Sequence, residues 1–305
     1  MMIWDYLRYY YFVHPIRFWV IIGLSIGVFL LLFFLFNQLS AMLEDGKSSR
    51  GKRKKTKHKK KGNDKWGVAM VASFVVFFII SFGAVKFFKH EQVKKTEIEV
   101  KEELSSPYLF GIDISQYQNQ INWPTLSKSP HPIKFVIARA TMGLDGYDTQ
   151  FDYNWENLQH YPYVRGAYHY YRPNENGYQQ FQHFASKVQL KSGDLPPILD
   201  IERRGHLGLA MLRIGVLNWL QSAEKAYKKK PIVYTGRNFY ERYLKGYIEN
   251  YPIWIASYTD EPDSTTVVWQ FHQFSDNLTI KGISTPVDGN HFNGNMRALN
   301  KLRIE

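Results

Sequence analysis

The sequence predicts an α/β protein in which two transmembrane helices precede a TIM-like closed barrel of about eight strands. Three observations predict this fold. Two uncharged apolar runs lie in the first third of the 305 residues, short apolar runs alternate with helical patterns after them, and the helical patterns stop before the apolar runs do. Alternating strands and helices are typical of parallel βα units, and about eight strands close a barrel.

The two long apolar runs, residues 18–36 and 66–85, contain no charged side chain. Each is long enough to cross a hydrocarbon core of about 30 Å as a helix that rises about 1.5 Å per residue. Buried core helices are rarely apolar on every face over this length, and no small-residue cleavage site of a signal peptide follows either run. We therefore expect transmembrane helices at residues 16–37 and 66–86, which make the lipid bilayer a partner.

The net charge of +12 indicates the topology of these helices. Ten basic residues and no acid fall within residues 47–61, so that only +2 remains in the rest of the chain. Lys and Arg in short loops stay on the cytoplasmic side of a membrane. We therefore predict a basic cytoplasmic loop at residues 38–65, with the N-terminal tail, residues 1–15, on the other side.

A charged linker, residues 87–106, leads to a predicted soluble domain at residues 107–305, on the extracytoplasmic or periplasmic side of the cytoplasmic (inner) membrane. A translation start at Met42 would leave one span and the same location. The domain carries little net charge, so a nucleic-acid partner is not expected. The absence of Cys excludes disulfides, thiolate zinc sites and a cysteine nucleophile. No metal or cofactor is expected, because no ligand spacing relates the histidines His169, His183, His206, His272 and His291.

Short apolar runs predict the strands. Several runs have β-branched or aromatic residues at both odd and even positions, which is typical of strands that are covered on both faces. The predicted strands are residues 108–115, 133–140, 164–171, 196–202, 231–236, 251–258 and 267–274, with 282–288 as a short final strand. The predicted helices are residues 150–160, 177–189, 207–230 and 238–244. Only residues 259–266 separate the sixth and seventh strands, which is too few for a crossover helix. The last third of the barrel should therefore lack its helices.

Four acids stand at the predicted ends of three strands. Asp113 ends the first apolar run, Asp200 and Glu202 end the fourth, and Asp288 ends the last. In barrels of this type the chemistry gathers at the carboxyl ends of strands. Asp200 and Glu202 are two apart, so both side chains point to one face of the strand, and two close carboxylates are the minimum for glycosidic cleavage. Taken alone, the D-x-E sequence at residues 200–202 is more simply explained as the polar end of a strand than as a catalytic pair. Four acids at three strand ends, however, favour a catalytic site.

Aromatic side chains accompany these acids. Aromatic faces with polar tips are the usual lining of a sugar-binding groove, although the same residues also fit a packed core. The aromatic residues at or near predicted strand ends are Tyr117, Tyr168, Tyr170, Tyr234, Trp254, Tyr258 and Trp269. We expect a groove lined by them beside the acids.

Ordered motifs across residues 108–297 resemble the landmarks of the family 25 glycoside hydrolases, the Chalaropsis-type lysozymes. The motifs are GIDISQYQ, INW, FVIARAT, RGAYHYY, ILDIE, PIVYTG, PIWIASY, VWQF and PVDGNHFNG. The resemblance implies a modified TIM-like (β/α)5(β)3 barrel, which agrees with the missing late helices. It also implies cleavage of the β-1,4 bond between N-acetylmuramic acid and N-acetylglucosamine, with peptidoglycan glycan strands as the partner.

The resemblance implies a role for each acid. Glu202 matches the general acid, and Asp200 matches either a nucleophile or the group that stabilises an oxazolinium formed by the substrate's N-acetyl group. Asp113 and Asp288 match residues that orient other groups and stabilise the charge of an oxocarbenium-like transition state. Ser257 departs from the family, in which a bulkier polar residue is expected. The positions that commonly line the groove match Tyr168, Tyr170, Tyr234, Trp254 and Gln270. The alternative function is a catalytically silent, membrane-tethered module that binds peptidoglycan without releasing reducing ends.

Overall fold

The computed structural model of the chain describes residue 34 and residues 64–262 and 267–305. The chain divides into two compact units, residues 1–95 and 96–305. The second unit contains the predicted soluble domain, and the barrel described below lies within it.

Helix α1, Asp64–Ser105, begins in the first unit and ends in the second. Phe78 and Phe82 are among several large apolar side chains that α1 exposes. Among the described residues, no helix combines the length and apolarity needed to cross a membrane. The membrane helix predicted at residues 66–86 is therefore not confirmed, and the one predicted at residues 16–37 lies outside the described residues except for one position.

Nine strands form a single sheet in the described part of the second unit. They are β1 (Leu109–Ile114), β2 (Phe135–Met142), β3 (Gly146–Tyr147), β4 (Val164–Tyr170), β5 (Ile198–Asp200), β6 (Ile232–Gly236), β7 (Ile253–Ala256), β8 (Phe271–Leu278) and β9 (Val287–Phe292). Neighbours follow the order β1-β9-β8-β7-β6-β5-β4-β2-β3. Because β1 also pairs with β2, eight strands close into a barrel, and β3 forms a short hairpin with β2. The predicted eight-stranded barrel is confirmed.

The helices are distributed unevenly around this barrel. They are α2 (Trp123–Leu126), α3 (Phe151–Leu158), α4 (Gly177–Lys187), α5 (Leu209–Tyr227), α6 (Arg237–Phe239) with a π-helix after it (Tyr240–Leu244), and α7 (Met296–Leu302). The connection from β8 to β9 contains no helix, and neither do the described residues between β7 and β8. The expected loss of the late helices is confirmed. Strand β9 is antiparallel to both of its neighbours, whereas the strands from β1 to β8 that form the rest of the wall pair in parallel.

The final strand begins at Val287, later than the predicted start at residue 282. Gly282 has a φ of +103°, which lies outside the β region, so the strand cannot start there. The carbonyl of Gly282 accepts a hydrogen bond from the backbone N–H of Asn122 at 2.9 Å. A Cβ at Gly282 would meet the backbone nitrogen of Leu126 at 2.6 Å. Gly282 therefore belongs to a turn that packs against α2.

Alternate residues of the strands divide the core into two layers. In β2, Phe135 and Ile137 belong to a layer with Trp254 and other inward-facing side chains of the barrel. Val136 and Ala138 belong to the second layer, which contains the helix residues that cover the outside of the barrel. Burial on both faces explains why these strands appear in the sequence as continuous apolar runs.

Candidate active site

The four acids lie at one end of the barrel. Asp113 is the next-to-last residue of β1, Asp200 is the last residue of β5, and Glu202 follows directly after that strand. Asp288 is the second residue of β9, so the prediction that it ends its strand is wrong. Because β9 is antiparallel to β1, its amino end lies beside the carboxyl end of β1, and Asp113 and Asp288 are partners in the strand register.

The acids share a small pocket of about 70 Å³. Its lining consists of Asp113, Tyr168, Asp200, Glu202, Tyr234, Trp254, Gln273 and Asp288. Glu202 and Tyr234 also line a larger, open cleft of about 610 Å³, so the pocket and the cleft meet at these two residues. The ends of β6 and β7 and the segments that follow them form the rest of the cleft: Gly236, Arg237, Asn238, Phe239, Glu241, Ala256, Ser257, Tyr258 and Thr259. A cleft of this volume is large enough to hold several groups of a ligand.

Asp113 and Asp288 form a hydrogen-bonded carboxyl pair in the pocket. Burial raises the pKa of both acids, and the charge of Asp113 contributes to raising the pKa of Asp288 to about 9. Asp288 therefore holds a proton at neutral pH and shares it with Asp113. Oδ2 of Asp113 accepts hydrogen bonds from Nε2 of Gln273 at 2.9 Å and from Nδ2 of Asn290 at 2.8 Å.

Asp200 and Glu202 differ in their exposure to water. Asp200 is buried, and burial together with the charges of Glu202 and Asp113 raises its pKa well above the usual value, against the effect of Arg139. The Oδ1 atom of Asp200 has no hydrogen-bond partner among the described residues. Glu202 is exposed towards the cleft. Partial burial of its carboxyl raises its pKa, while the charge of Arg203 lowers it. Glu202 is therefore an acid that keeps its proton beyond the usual pH and faces the open cleft.

Five of the aromatic residues expected in the groove face the acids or the cleft. Tyr168, Tyr234 and Trp254 line the acidic pocket, and Tyr258 lines the cleft. Burial raises the pKa of Tyr170, and the negative charges of the two acids near β5 raise it further, which indicates that its hydroxyl faces those acids.

Tyr117 stands apart from the pocket, in the short 3₁₀ helix (Gln116–Gln118) that follows β1. Its ring is 69% exposed and packs beneath the guanidinium of Arg139, which lies 4.8 Å from the ring centroid. Nε of Arg139 donates a hydrogen bond to Asp148 at 2.8 Å, which holds the guanidinium in place. One face of the Tyr117 ring is thus supported by the protein, and the side chain remains accessible to a ligand.

The remaining two predicted groove residues lie elsewhere. Trp269 is buried in the hydrophobic core, and its Nε1 donates a hydrogen bond to the carbonyl of Pro262 at 3.0 Å. Gln270 accepts a hydrogen bond at Oε1 from the backbone N–H of Ile253 at 2.7 Å. Ile253 begins β7, so Gln270 lies at the end of the barrel opposite the acids. Ser257, the residue that departs from the family pattern, does line the cleft.

Three further residues, Gln273, Asn290 and Arg139, contact or influence the acids and were not predicted from the sequence. Asn290 is two residues beyond Asp288 on β9, so the period-2 pattern of a strand puts both side chains on one face. Gln273 lies in the carboxyl-terminal part of a predicted strand, which is the same positional signal that identified the acids. Arg139 sits in a largely apolar strand, and a cation that is mostly removed from water, as this one is, requires a negative partner.

Within the described residues, no group of three or more His, Asp or Glu side chains is arranged to hold a metal ion. Four carboxyl groups line the pocket, those of Asp113, Asp200, Glu202 and Asp288. Carboxyl groups with raised pKa values at the end of a closed barrel, beside an open cleft lined by tyrosines, define a glycoside hydrolase.

The chain belongs to the glycosyl hydrolases family 25, whose model matches residues 112–283. It is 36% identical over 219 residues to the protein YegX of Escherichia coli (strain K12), covering 70% of this chain and 79% of that protein. Lysozyme M1 of Streptomyces globisporus is 30% identical over 205 residues, or 62% of this chain and 69% of the lysozyme.

Solved structures agree with this assignment. The bacterial lysozyme from Streptomyces coelicolor superposes with a TM-score of 0.60 at 28% identity, covering 65% of this chain and 98% of that one. A family 25 glycosyl hydrolase from Bacillus anthracis gives a TM-score of 0.59 at 27% identity, covering 64% of this chain and 93% of that one. The resemblance found in the sequence is confirmed for the family and for the class of enzyme.

Proposed function

We propose that residues 107–305 hydrolyse the β-1,4 bond between N-acetylmuramic acid and N-acetylglucosamine in peptidoglycan. The observation that carries this proposal is the convergence of four acids on one pocket that opens, at Glu202, into a cleft. The names of two relatives, lysozyme M1 and the Streptomyces coelicolor lysozyme, support peptidoglycan as the substrate.

Glu202 acts as the general acid in this mechanism. Its raised pKa keeps the proton available, and its position at the junction of pocket and cleft allows it to face the leaving oxygen of a glycan bound in the cleft. As the glycosidic C–O bond breaks, the proton of Glu202 passes to the leaving oxygen. Positive charge then develops on the sugar ring, and the single negative charge of the Asp113 and Asp288 pair stabilises it.

Asp200 takes part in the reaction at the anomeric carbon in one of two ways. As a nucleophile, Asp200 reacts in its ionised form, which its raised pKa confines to a higher pH than is usual for an aspartate. Its carboxylate forms a bond to the anomeric carbon while the leaving oxygen departs, and water activated by Glu202 later breaks that bond. In the substrate-assisted route the oxygen of the N-acetyl group attacks the anomeric carbon, and the carboxylate of Asp200 stabilises the resulting oxazolinium. The pocket supports both, because Oδ1 of Asp200 is not engaged by any other described residue.

The test is incubation of the purified full-length chain with purified peptidoglycan, followed by mass spectrometry of the soluble products. We expect fragments that end in reducing N-acetylmuramic acid. Glu202→Gln should lower the rate by about 10²-fold to 10⁴-fold, since it removes the transferable proton but keeps the shape. Glu156→Gln, on the exposed side of α3, is the matched control and should retain the wild-type rate.

Three results would contradict the proposal. Products that end in reducing N-acetylglucosamine would make the enzyme a glucosaminidase. Binding to peptidoglycan with no new reducing ends would favour the silent binding module. A Glu202→Gln protein as active as the wild type would remove Glu202 from the mechanism.

We also propose that the N-terminal segments tether the domain to the outer face of the cytoplasmic membrane. The support comes from the sequence: two uncharged apolar runs, residues 18–36 and 66–85, flank a segment with ten basic residues. A tether would raise the concentration of the enzyme near the cell wall. The test is carbonate extraction of membranes and protease treatment of spheroplasts. Release by carbonate, or protection of the domain from external protease, would refute the tether.

A further inference from the structure

Gln273 lies in the barrel wall between the acids and the open cleft. Its side chain is only 2% exposed, and every hydrogen-bonding position of its amide is used. Nε2 donates to Oδ2 of Asp113 at 2.9 Å and lies 3.4 Å from Oδ2 of Asp288. Oε1 accepts from the hydroxyls of Tyr234 at 2.8 Å and Tyr258 at 2.7 Å. One amide therefore connects two of the acids to two tyrosines of the substrate cleft.

The orientation of this amide follows from its partners. A tyrosine hydroxyl is able to donate to Oε1, and a carboxylate is able only to accept. The flipped amide would place Oε1 against the oxygens of Asp113 and Asp288 and leave both without its donor. The hydrogen-bond network therefore orients the amide with Nε2 towards the acids.

The donors determine where the negative charge of the carboxyl pair resides. Asp113 accepts from two buried amides, those of Gln273 and Asn290, and both bonds favour its ionised form. Asp288 has the longer contact to Gln273 and a strongly raised pKa, so Asp288 is the member that keeps the proton. Asn290 is fixed in turn, because its Oδ1 accepts a hydrogen bond from Nε1 of Trp254 at 2.9 Å.

We propose that Gln273 is a positioning residue that localises the negative charge of the carboxyl pair on Asp113 and couples that charge to the tyrosines of the cleft wall. Its effect on the reaction rate rests on the proposed hydrolysis, whereas its effect on the acids does not. Glu202 is the group that delivers the proton, and Gln273 acts only through its partners. The other titratable and charged groups that face the pair are Arg139 of β2, Tyr168 of β4, Asp200 of β5, Glu202, Tyr234 of β6, Tyr258 and Asp276 of β8.

The test compares Gln273→Met with the wild type in the full-length chain, using soluble peptidoglycan fragments of defined length. Methionine has a similar volume but offers no donor. Without this donor the ionised form of Asp113 is less favoured, so the pair needs a higher pH to release its first proton. We expect kcat to fall at least tenfold, KM to change less than twofold, and the acid limb of the kcat profile to move up by about one pH unit.

Gln180→Met is the matched control. Gln180 is a fully buried glutamine on α4 whose amide contacts His169 and the backbone of Arg172, away from the pocket. The Gln180→Met variant loses a set of hydrogen bonds comparable to that lost in Gln273→Met, so any general loss of stability appears in both variants. The pH profile of Gln180→Met should coincide with that of the wild type.

A second variant covers the case in which Gln273→Met does not fold. Gln273→Glu keeps the shape of the side chain and places a carboxyl oxygen against the pair, so its acid limb should move up further still. A folded Gln273 variant with an unchanged acid limb would overturn the proposal, as would an equal displacement in Gln180→Met.

A measurement without substrate separates this proposal from the proposed function. Urea unfolding between pH 4 and pH 9 reports the difference in bound protons between the folded and unfolded chains, and the difference between the wild type and Gln273→Met isolates the contribution of the pair. If the wild type cleaves no glycan but the two pH curves differ, the proposed function fails and the role of Gln273 stands. If the wild type is active but the curves and the pH profiles coincide, the role of Gln273 fails and the proposed function stands.

Discussion

Replacing Asp288 by Asn should change how the stability of the protein depends on pH. Burial and the neighbouring charge of Asp113 raise the pKa of Asp288 from 3.8 to about 9. Between these two values the folded chain binds one proton more than the unfolded chain does. Asp288 therefore stabilises the fold fully below about pH 4, and this contribution is lost as the pH rises towards 9.

One additional bound proton corresponds to a slope of about 1.4 kcal/mol per pH unit in the free energy of unfolding. Between pH 5 and pH 8, Asp288 should thus account for a fall of about 4 kcal/mol. Asp288→Asn keeps a donor towards Asp113 but cannot titrate, so its stability curve should be flatter than the wild-type curve by about this amount. The other acids with raised pKa values contribute to both curves and largely cancel.

The assay is urea unfolding, followed by tryptophan fluorescence, at half-unit pH intervals. Asp145→Asn is the matched control, because Asp145 is an exposed carboxylate in the hairpin between β2 and β3. Its curve should run parallel to that of the wild type. Parallel curves for Asp288→Asn and the wild type would refute the assignment of the proton to Asp288.

Three further predictions concern other parts of the domain. Tyr117→Ala should raise KM about threefold to tenfold and leave kcat unchanged, because an exposed ring supported on one face by Arg139 contributes stacking alone. Steady-state kinetics on soluble glycan fragments would contradict this if kcat fell instead. Gly282→Ala should lower the free energy of unfolding by at least about 1 kcal/mol in urea titrations, since φ is positive and the new Cβ would meet the backbone of α2; an unchanged midpoint would count against the turn. His131→Leu should lower the free energy of unfolding by about 2 kcal/mol, because the substitution removes the 2.8 Å contact from Nδ1 to the buried carboxylate of Glu103. Calorimetry that shows no lower melting temperature would rule this out.

The architecture of the barrel could be predicted because its signals are local. Runs that are apolar at both odd and even positions identify strands buried on both faces. The predicted gap at residues 259–266 was too short for a crossover helix, and the described residues between β7 and β8 contain none. The start of β9 could not be predicted, because the turn at Gly282 depends on its packing against α2, which is distant in sequence.

The candidate site, like the fold, could be predicted only where the signals are local. The acids were found because a charged side chain at the end of an apolar run is conspicuous in one sequence. Gln273 and Asn290 were missed because an uncharged amide has many structural uses, and only the fold brings these two within hydrogen-bonding distance of Asp113. Trp269 was placed in the groove as an aromatic residue near a predicted strand end, and Gln270 by its motif, but the register of β8 puts both at the opposite end of the barrel.

The pairing of β1 with β9 has a consequence for how the enzyme matures. Asp113 lies on the first strand of the domain and Asp288 on the last, and the two become neighbours only when these strands meet. During synthesis the ribosome must release nearly the whole domain before the carboxyl pair exists, so every shorter nascent chain lacks a complete site. Closure of the barrel therefore completes the site, and a chain without its last strand lacks Asp288 and the carboxyl pair.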